Sequence, residues 1–300
     1  MAKKRQSSDW LTAFAILALG LALWREIKRR AGNNPSEPGS KYQKHGWALV
    51  TGASSGMGSE FARQLAARGY NLVLVARREA RLQSMVEEIN RDWGTATEVI
   101  SADLSNEADI TRIEKVIADL PDLEILVNNA GFGVVAPFAE SNLDDQLRMI
   151  DVHVLATITL TRAALPGMLE RHCGAIINVS SLTAFVPVPK DVTYGSTKAY
   201  LNSFTEALYL ENKGKGVKFQ ALCPGLTATE FHDTLPDFNP SRVPSFVWMS
   251  AVEVVRQSLD ALDGGPVIFV PGWFNRMVVF AAQSPILSPF TRLGSAMVKQ

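Results

Sequence analysis

The chain has 300 residues, of which 47% are hydrophobic and 20% charged, a composition typical of a folded globular protein. Its 30 Lys and Arg side chains balance 30 Asp and Glu, so no excess positive charge favours a nucleic-acid partner. The two cysteines, Cys173 and Cys223, are too few for a disulfide scaffold, and we expect both to be reduced thiols in the core. The four histidines show no metal-ligand spacing, so no metal site is predicted.

The first 46 residues differ from the rest and are predicted to be an appendage with a linker over 31–40. An apolar run over 10–24 has a tryptophan at each end and basic residues on both sides, which suits a membrane segment. As a helix it would be about 22 Å long, which is short for a bilayer core of about 30 Å. We expect a membrane anchor with the body facing the cytoplasm. The alternatives are a cleaved signal peptide, or a packed helix on a cytoplasmic protein.

A glycine-rich turn follows the first apolar strand, predicted over 47–51, and leads into an amphipathic helix over 59–68. Its glycines are Gly52, Gly56 and Gly58, with spacing G-x-x-x-G-x-G. Glycines let the backbone approach a pyrophosphate, and the helix N-terminus offers N–H groups and a positive dipole. The spacing matches neither the G-x-G-x-x-G fingerprint nor a P-loop. We predict a nucleotide site, with a simple tight turn as the alternative.

Two arginines follow the second predicted strand, which covers 71–76. In folds of this type, an acidic residue at that place binds a ribose 2′-hydroxyl. Here the strand is followed by Arg77 and Arg78, and a guanidinium group matches phosphate oxygens instead. We therefore expect NADP(H) in preference to NAD(H). The alternative is that both arginines are solvated, with Arg77 stacking on adenine.

Strands and helices alternate in the next part of the chain, which predicts a parallel sheet covered on both faces. The predicted elements are strands over 97–101 and 125–128 and a helix over 107–120. Asp103 and Leu104 follow the third strand, where we expect them to contact adenine. Asn129, Ala130 and Gly131 follow the fourth, where small residues would let a cofactor pass close to the backbone.

Three side chains form a candidate catalytic group. Tyr194 and Lys198 are four residues apart, so on a helix they share one face. Ser181 stands thirteen residues before Tyr194, just after an apolar run. A phenol has a pKa of about 10, and a fixed ammonium group nearby favours the phenolate. The serine hydroxyl can hold a substrate oxygen while the tyrosine moves its proton. A solvated surface pair is the alternative, and the nucleotide site argues against it.

These segments together resemble the classical short-chain dehydrogenase/reductase family over roughly 45–270. The matching motifs, in the family's order, are Thr51-Gly52-Ala53-Ser54-Ser55-Gly56-Met57-Gly58, Asp103, Asn128-Asn129-Ala130-Gly131, Ser181, Tyr194-x-x-x-Lys198 and Pro224-Gly225. The resemblance implies a Rossmann-like, doubly wound α/β fold with sheet order 3-2-1-4-5-6-7. We expect this catalytic domain over 47–272, followed by an apolar C-terminal extension over 273–300.

The resemblance implies a role for each matched position. Tyr194 would be the acid/base, Ser181 would orient the substrate oxygen, and Lys198 would lower the pKa of Tyr194 and bond the nicotinamide ribose. Pro224-Gly225 would flank the nicotinamide, and Thr229 would touch the cofactor. The predicted cofactor-binding residues are Thr51, Gly52, Ser54, Ser55, Gly56, Met57, Gly58, Arg77, Asp103, Leu104, Asn129, Ala130, Gly131, Tyr194, Lys198, Pro224, Gly225 and Thr229.

One departure from the family's pattern lies in the predicted long helix over 143–171. His153 stands where the family usually has asparagine, which shapes a helix kink and holds a water that relays protons to the lysine. A histidine can both donate and accept hydrogen bonds, so it could preserve that site. It could also titrate near neutrality and add a pH dependence. We include His153 among the candidate catalytic residues.

The substrate is expected to be a small hydrophobic carbonyl or alcohol, such as a 3-oxoacyl thioester, a steroid or a retinoid. A proline-rich segment over 226–246 is predicted to be a lid, and the apolar tail would form a greasy rim or pack over the sheet edge. The function predicted is interconversion of a secondary alcohol and a ketone. The alternative is a low-turnover NADP(H)-binding sensor or scaffold. The family commonly assembles into homo-oligomers through its two long helices.

Overall fold

A computed structural model describes residues 46–120, 122–231 and 243–285. All of these lie within one compact unit of the chain, residues 43–300. The apolar run over 10–24 lies outside the described residues, as do most of the predicted lid and the last part of the apolar tail.

The core of the protein is a parallel sheet of seven strands in the order β3-β2-β1-β4-β5-β6-β9. The strands are β1 (Trp47–Thr51), β2 (Asn71–Ala76), β3 (Thr97–Ser101), β4 (Leu123–Asn128), β5 (Gly174–Val179), β6 (Val217–Leu222), β7 (Thr227–Ala228), β8 (Met249–Ser250) and β9 (Ile268–Phe269). The predicted order is confirmed. The seventh strand of the sheet is the ninth in the chain because β7 and β8 form a separate two-stranded ladder.

Helices connect the strands and cover the sheet. They are α1 (Gly56–Ala67), α2 (Glu79–Trp93), α3 (Glu107–Asp119), α4 (Leu143–Ile150), α5 (Ala156–Glu170), α6 (Val192–Asn212), α7 (Ala251–Asp260) and α8 (Trp273–Gln283). Two differ from prediction. The first begins three residues earlier, inside the glycine-rich turn. The predicted helix over 143–171 is interrupted by a π-helical turn, Asp151–Leu155, between α4 and α5.

Apolar side chains pack on both faces of the sheet, which explains why its strands are nearly continuous hydrophobic runs. Along β1, Val50 faces the core beneath α1 and α2, where Phe61 and Leu82 are fully buried. Leu49 faces the other side, beneath α3 and α5, where Leu160 is fully buried. The alternation assigns successive strand residues to opposite faces of the sheet.

A chain of buried polar groups crosses the centre of the sheet, and the sequence interpretation missed it. The Asn128 amide donates to Asn178 Oδ1 at 2.9 Å and to Thr161 Oγ1 at 3.2 Å. The Asn178 amide in turn donates to Thr205 Oγ1 at 2.9 Å. These bonds tie β4 and β5 to α5 and α6, so they hold the helix that carries Tyr194.

The two thiols have different environments. Cys223 is buried as expected, but Cys173 is exposed at the turn between α5 and β5, so the prediction of two core thiols is wrong for Cys173. Among the described residues, no group of three His, Cys, Asp or Glu side chains could hold a metal ion. One described helical run, Leu143–Glu170, is apolar and long enough to cross a membrane, but 44% of its apolar 18-residue window is buried within the protein.

Candidate active site

Hydrogen bonds join the ends of β1 and β4 beside the glycine-rich turn. The Thr51 hydroxyl accepts hydrogen bonds from the backbone N–H groups of Asn129 and Ala130, at 2.9 and 3.0 Å. The Asn129 amide donates to the Thr51 carbonyl at 2.9 Å. Asn129 therefore braces the central strands.

The turn itself requires its glycines. Gly52 and Gly56 have φ values of +67° and +56°, which side chains rarely tolerate. A Cβ on Gly58 would lie 2.2 Å from the Gly52 carbonyl oxygen, so α1 can approach β1 this closely only without a side chain. Thr229 lies across the turn, since a Cβ on Gly56 would be 3.2 Å from its Cβ. The result is a backbone-lined cradle at the N-terminus of α1, suited to an anion.

Arginine side chains from α2 border this cradle. The Arg78 guanidinium donates to Ser54 Oγ at 3.1 Å and to Ser55 Oγ at 2.6 Å. It also meets the Glu230 carboxylate at 3.2 Å, and Arg81 meets the same carboxylate at 2.7 Å. The hydrogen bonds and ion pairs from Arg78 and Arg81 place two positive charges beside the turn.

Arg77 is the other arginine predicted to bind a cofactor phosphate. Its side chain is 63% exposed and lies 3.9 Å from Asp103. Burial raises the pKa of the Asp103 carboxyl, but hydrogen bonds from Ser105 and Arg148 outweigh it, so that pKa is lowered overall. Leu104 is buried in the apolar core between the sheet and helices α3 and α5. Asp103 therefore remains ionised at the place predicted to face adenine.

The candidate catalytic side chains converge where β5 ends and α6 begins. Ser181 follows β5 and caps a 3₁₀ turn, accepting a hydrogen bond from the Thr183 N–H at 3.2 Å. Lys198 is 4% exposed and donates to the Val179 carbonyl at 2.8 Å. Its Nζ lies 5.4 Å from the ring centre of Tyr194, and the Tyr194 hydroxyl is hydrogen-bonded to Ser181. The structure brings all three predicted residues together.

The protonation of this group differs from the expectation. Burial raises the pKa of Tyr194, the charge of Asp191 raises it further, and the hydrogen bond from Ser181 offsets only part of the change. The expected lowering of this pKa is therefore wrong for the protein alone, because burial is the largest influence on the phenol and raises its pKa. Burial also lowers the pKa of Lys198 to about 8. The phenol is thus held in its protonated form.

His153 lies beside the group, in the π-helical turn, and is 1% exposed. Its ring is edge-on to Tyr194, with the centroids 5.6 Å apart. Burial, then the charge of Lys198, lowers the pKa of His153 well below its usual value. The expectation that His153 titrates near neutrality is therefore wrong.

Residues from the second half of the chain close the other side. The Pro224 carbonyl accepts a hydrogen bond from the backbone N–H that follows Ser181, at 2.9 Å. Gly225 packs on Asn275, because a Cβ there would lie 2.4 Å from Asn275 Oδ1. The Phe231 ring lies 5.8 Å from that of Tyr194. Neither Asn275 nor Phe231 was predicted, since both positions depend on how distant segments pack.

The comparisons with known proteins agree with this geometry. The family model for short chain dehydrogenases matches residues 46–239. A hydroxysteroid dehydrogenase-like protein 1 of Gallus gallus is 34% identical over 239 residues, which cover 78% of this chain and 70% of that protein. A very-long-chain 3-oxoacyl-CoA reductase of Homo sapiens is 32% identical over 244 residues, which cover 78% of each.

A solved structure of similar fold supports the same assignment. The short-chain dehydrogenase from Sphingobium yanoikuyae in complex with NADPH has a TM-score of 0.73 and 30% identity, covering 81% of this chain and 95% of that one. Fold, site and sequence therefore agree: the chain belongs to the short-chain dehydrogenase/reductase family and is an NAD(P)-dependent oxidoreductase acting on CH–OH groups.

Proposed function

We propose that this protein interconverts a ketone and a secondary alcohol on a hydrophobic substrate, using NADP(H), with Tyr194 as the acid/base. The observation that carries the proposal is the convergence of Tyr194, Ser181 and Lys198 next to the glycine-rich cradle. Relatives named very-long-chain 3-oxoacyl-CoA reductase and hydroxysteroid dehydrogenase-like protein support an extended apolar substrate, such as a long-chain 3-oxoacyl thioester.

The residues present fit a dinucleotide. The cradle formed by Gly52, Gly56 and Gly58 has no room for a Cβ, and the first N–H groups of α1 are free of intrahelical partners. Lys198, Asn129 and Thr229 lie along the same edge of the sheet. When bound there, the cofactor supplies or accepts the hydride.

Side chains of the protein itself transfer the proton. In reduction, the Tyr194 phenol gives its proton to the substrate oxygen, while the Ser181 hydroxyl donates a hydrogen bond to that oxygen. The raised pKa keeps the phenol protonated for this step. The Lys198 ammonium then stabilises the phenolate that remains. In oxidation the same groups act in the opposite direction.

Substitution of Tyr194 tests this mechanism. Tyr194→Phe should lower kcat about 10²- to 10⁴-fold, since a positioned acid/base contributes that much, while NADPH still binds. Turnover is measured with long-chain 3-oxoacyl-CoA and hydrophobic ketones, and NADPH binding by fluorescence. Tyr200→Phe is the matched control, because Tyr200 lies on the same helix, is 38% exposed and stacks on Phe204. Equal rates in both variants would exclude Tyr194 as the acid. Binding without turnover in the unmodified protein would favour the sensor or scaffold alternative.

The preference for NADP(H) is proposed from the pair Arg78 and Arg81. Arg78 donates to the Ser54 and Ser55 hydroxyls, and Arg81 pairs with the Glu230 carboxylate that Arg78 also meets. Guanidinium groups at this place can bind a 2′-phosphate. The NADPH complex of the Sphingobium yanoikuyae enzyme is consistent with this preference.

A pair of neighbouring substitutions tests the cofactor preference. Arg78→Ala should weaken NADPH binding about 10- to 150-fold and leave NADH binding nearly unchanged, because one charge-assisted contact is worth about 1.5–3 kcal/mol. Arg77→Ala is the control, since Arg77 is 63% exposed and lies against Asp103. Binding is measured by titration with both coenzymes. A larger effect of Arg77→Ala would assign the phosphate to Arg77, as the sequence first indicated.

A further inference from the structure

The carboxylate of Glu230 lies on the two arginines that are proposed above to bind a coenzyme phosphate. Arg81 Nη1 donates to both of its oxygens, at 2.8 Å to Oε1 and 2.7 Å to Oε2. Arg78 Nη1 donates to the same Oε2 at 3.2 Å. One carboxylate of the protein therefore already occupies the guanidinium groups that a 2′-phosphate would need.

The residues on either side of Glu230 fix its backbone between the glycine-rich turn and the catalytic tyrosine. Thr229 lies against the turn, since a Cβ on Gly56 would be 3.2 Å from the Thr229 Cβ. Phe231 lies on the other side, with its ring 5.8 Å from that of Tyr194. The strand β7, which pairs with β8, ends just before this segment. Packing on both sides therefore keeps the carboxylate within reach of the arginines.

The ion pairs are open to solvent and border a cleft between α1 and α2. The side chains of Arg78, Arg81 and Glu230 are 45%, 49% and 52% exposed. The cleft has a volume of about 450 Å³, and its lining includes Ser55, Ser59, Arg63, Arg81, Glu88 and Glu230. Because exposed ion pairs are individually weak, an anion that enters here can exchange with the carboxylate at little cost.

A phosphate monoester is a stronger partner for two guanidinium groups than a carboxylate is. At pH 7 it carries a charge of about −1.5 to −2 and three acceptor oxygens, against one charge and two oxygens for a carboxylate. Hydrogen bonds from Arg81, then from Arg78, lower the pKa of Glu230, so its carboxylate is charged at neutral pH. Two anions on the same donors would repel each other, so one has to leave.

We propose that Glu230 is a specificity-determining residue, whose carboxylate occupies Arg78 and Arg81 in the free protein and is displaced by the 2′-phosphate of NADP(H). The inference rests on the cofactor preference proposed above. NADP(H) has to break the ion pairs of Glu230 before its phosphate can bind. NAD(H) carries a 2′-hydroxyl at that place and leaves them intact. Glu230 therefore lowers the affinity for NADP(H) alone and narrows the difference between the two coenzymes.

Binding measurements on the full chain test this exchange without turnover. Glu230→Gln should tighten NADPH binding about 3- to 10-fold and leave NADH binding within about twofold, because only NADPH has to break the two weak ion pairs. The fragments 2′-AMP and 5′-AMP should differ in the same way, and calorimetric titration measures all four. Glu88→Gln is the matched control, since Glu88 lines the same cleft but bonds Arg63 at 2.6 Å.

A double-mutant cycle distinguishes exchange from simple charge repulsion. In Arg81→Ala, Glu230 has lost the partner that engages both of its oxygens. The gain in NADPH binding from Glu230→Gln should therefore shrink to about twofold or less in that background. A carboxylate that only repels the phosphate would give an undiminished or larger gain there, and that result overturns the exchange.

Three further results would contradict the proposal. Weaker NADPH binding in Glu230→Gln would mean that the carboxylate orders the arginines for the phosphate. An equal gain in Glu88→Gln would show a general effect of charge in the cleft. If Arg78→Ala weakens NADPH binding but Glu230→Gln changes nothing, the exchange is wrong and the phosphate site stands. If neither variant changes NADPH binding, the proposed phosphate site is wrong as well.

Discussion

Lys198 combines a useful charge with an environment that makes the charge costly. The amine is buried, donates to the Val179 carbonyl, and has Cys223 near enough to affect its charge. Burial lowers the pKa of Lys198 from 10.5 to about 8, so the ammonium dominates at neutral pH and is lost in mildly alkaline solution. Burial raises the pKa of Tyr194 at the same time, so in the proposed mechanism the phenolate needs stabilisation from this charge and from the Ser181 hydrogen bond.

The rate of carbonyl reduction should therefore fall as the pH rises through about 8. Below that pH Lys198 is protonated and stabilises the developing phenolate; above it the amine is neutral and the stabilisation is lost. Initial rates of NADPH-dependent reduction between pH 6 and 10 would show a single ionisation. Arginine stays charged between pH 6 and 10, so the fall in rate at alkaline pH should be absent in Lys198→Arg, although the absolute rate of this variant is lower. An unchanged limb in that variant would assign the ionisation to another group.

At the scale of elements, the local sequence pattern predicts where the strands lie, but it does not predict the polar contacts inside the protein. The apolar runs of β1, β2 and β4 mark these strands in the sequence, so their ends were predictable within a residue or two. The register that sets Asn128 opposite Asn178 is a property of the assembled sheet, and nothing local to either residue signals it. The two asparagines were therefore not recognised as partners.

The π-helical turn shows the same limit. Residues 143–170 keep an apolar helical pattern throughout, so the sequence predicts one continuous helix. The π turn places His153 against Gly131 and within hydrogen-bonding distance of the Phe132 N–H, and these contacts exist only once β4 and its loop are in place. Ser181, Tyr194 and Lys198 were identifiable because motif spacing marked them. Asn275 and Phe231 carry no such mark.

The polar chain across the sheet should contribute measurably to stability. Asn178→Val removes the acceptor of one Asn128 N–H and the N–H donor to Thr205 Oγ1 inside the protein, which should lower the free energy of unfolding by about 2–4 kcal/mol. Urea denaturation followed by circular dichroism measures it. The double variant Asn128→Val, Asn178→Val should recover part of the loss, because it removes both partners of the Asn128–Asn178 bond. If the single variant loses less than about 1 kcal/mol of unfolding free energy, these hydrogen bonds are worth no more than the bonds to water that they replace.

At the scale of the whole molecule, exposed apolar side chains occur in separate regions. Leu147, Leu155 and Leu210, on or beside the long helices, are about half exposed or more, at 49%, 50% and 66%. A homo-oligomer through these helices stays a prediction. On α8, Trp273, Met277 and Phe280 are 73%, 58% and 67% exposed and recur at helical spacing, so they form one apolar face. This face lies in the first part of the apolar C-terminal extension that the sequence predicts over 273–300.

Membrane association through residues 10–24 is the last prediction and can be separated from catalysis. All the candidate site residues lie in the compact unit 43–300, so deletion of 1–42 should leave kcat within about twofold of the full chain. The full chain should sediment with membranes and resist extraction by high salt, because burial of an apolar run does not depend on charge. The truncated protein should stay in the supernatant. If it sediments too, residues 10–24 are not the anchor, and the triple variant Trp273→Ser, Met277→Ser, Phe280→Ser of the truncated protein would test whether the face of α8 holds it there.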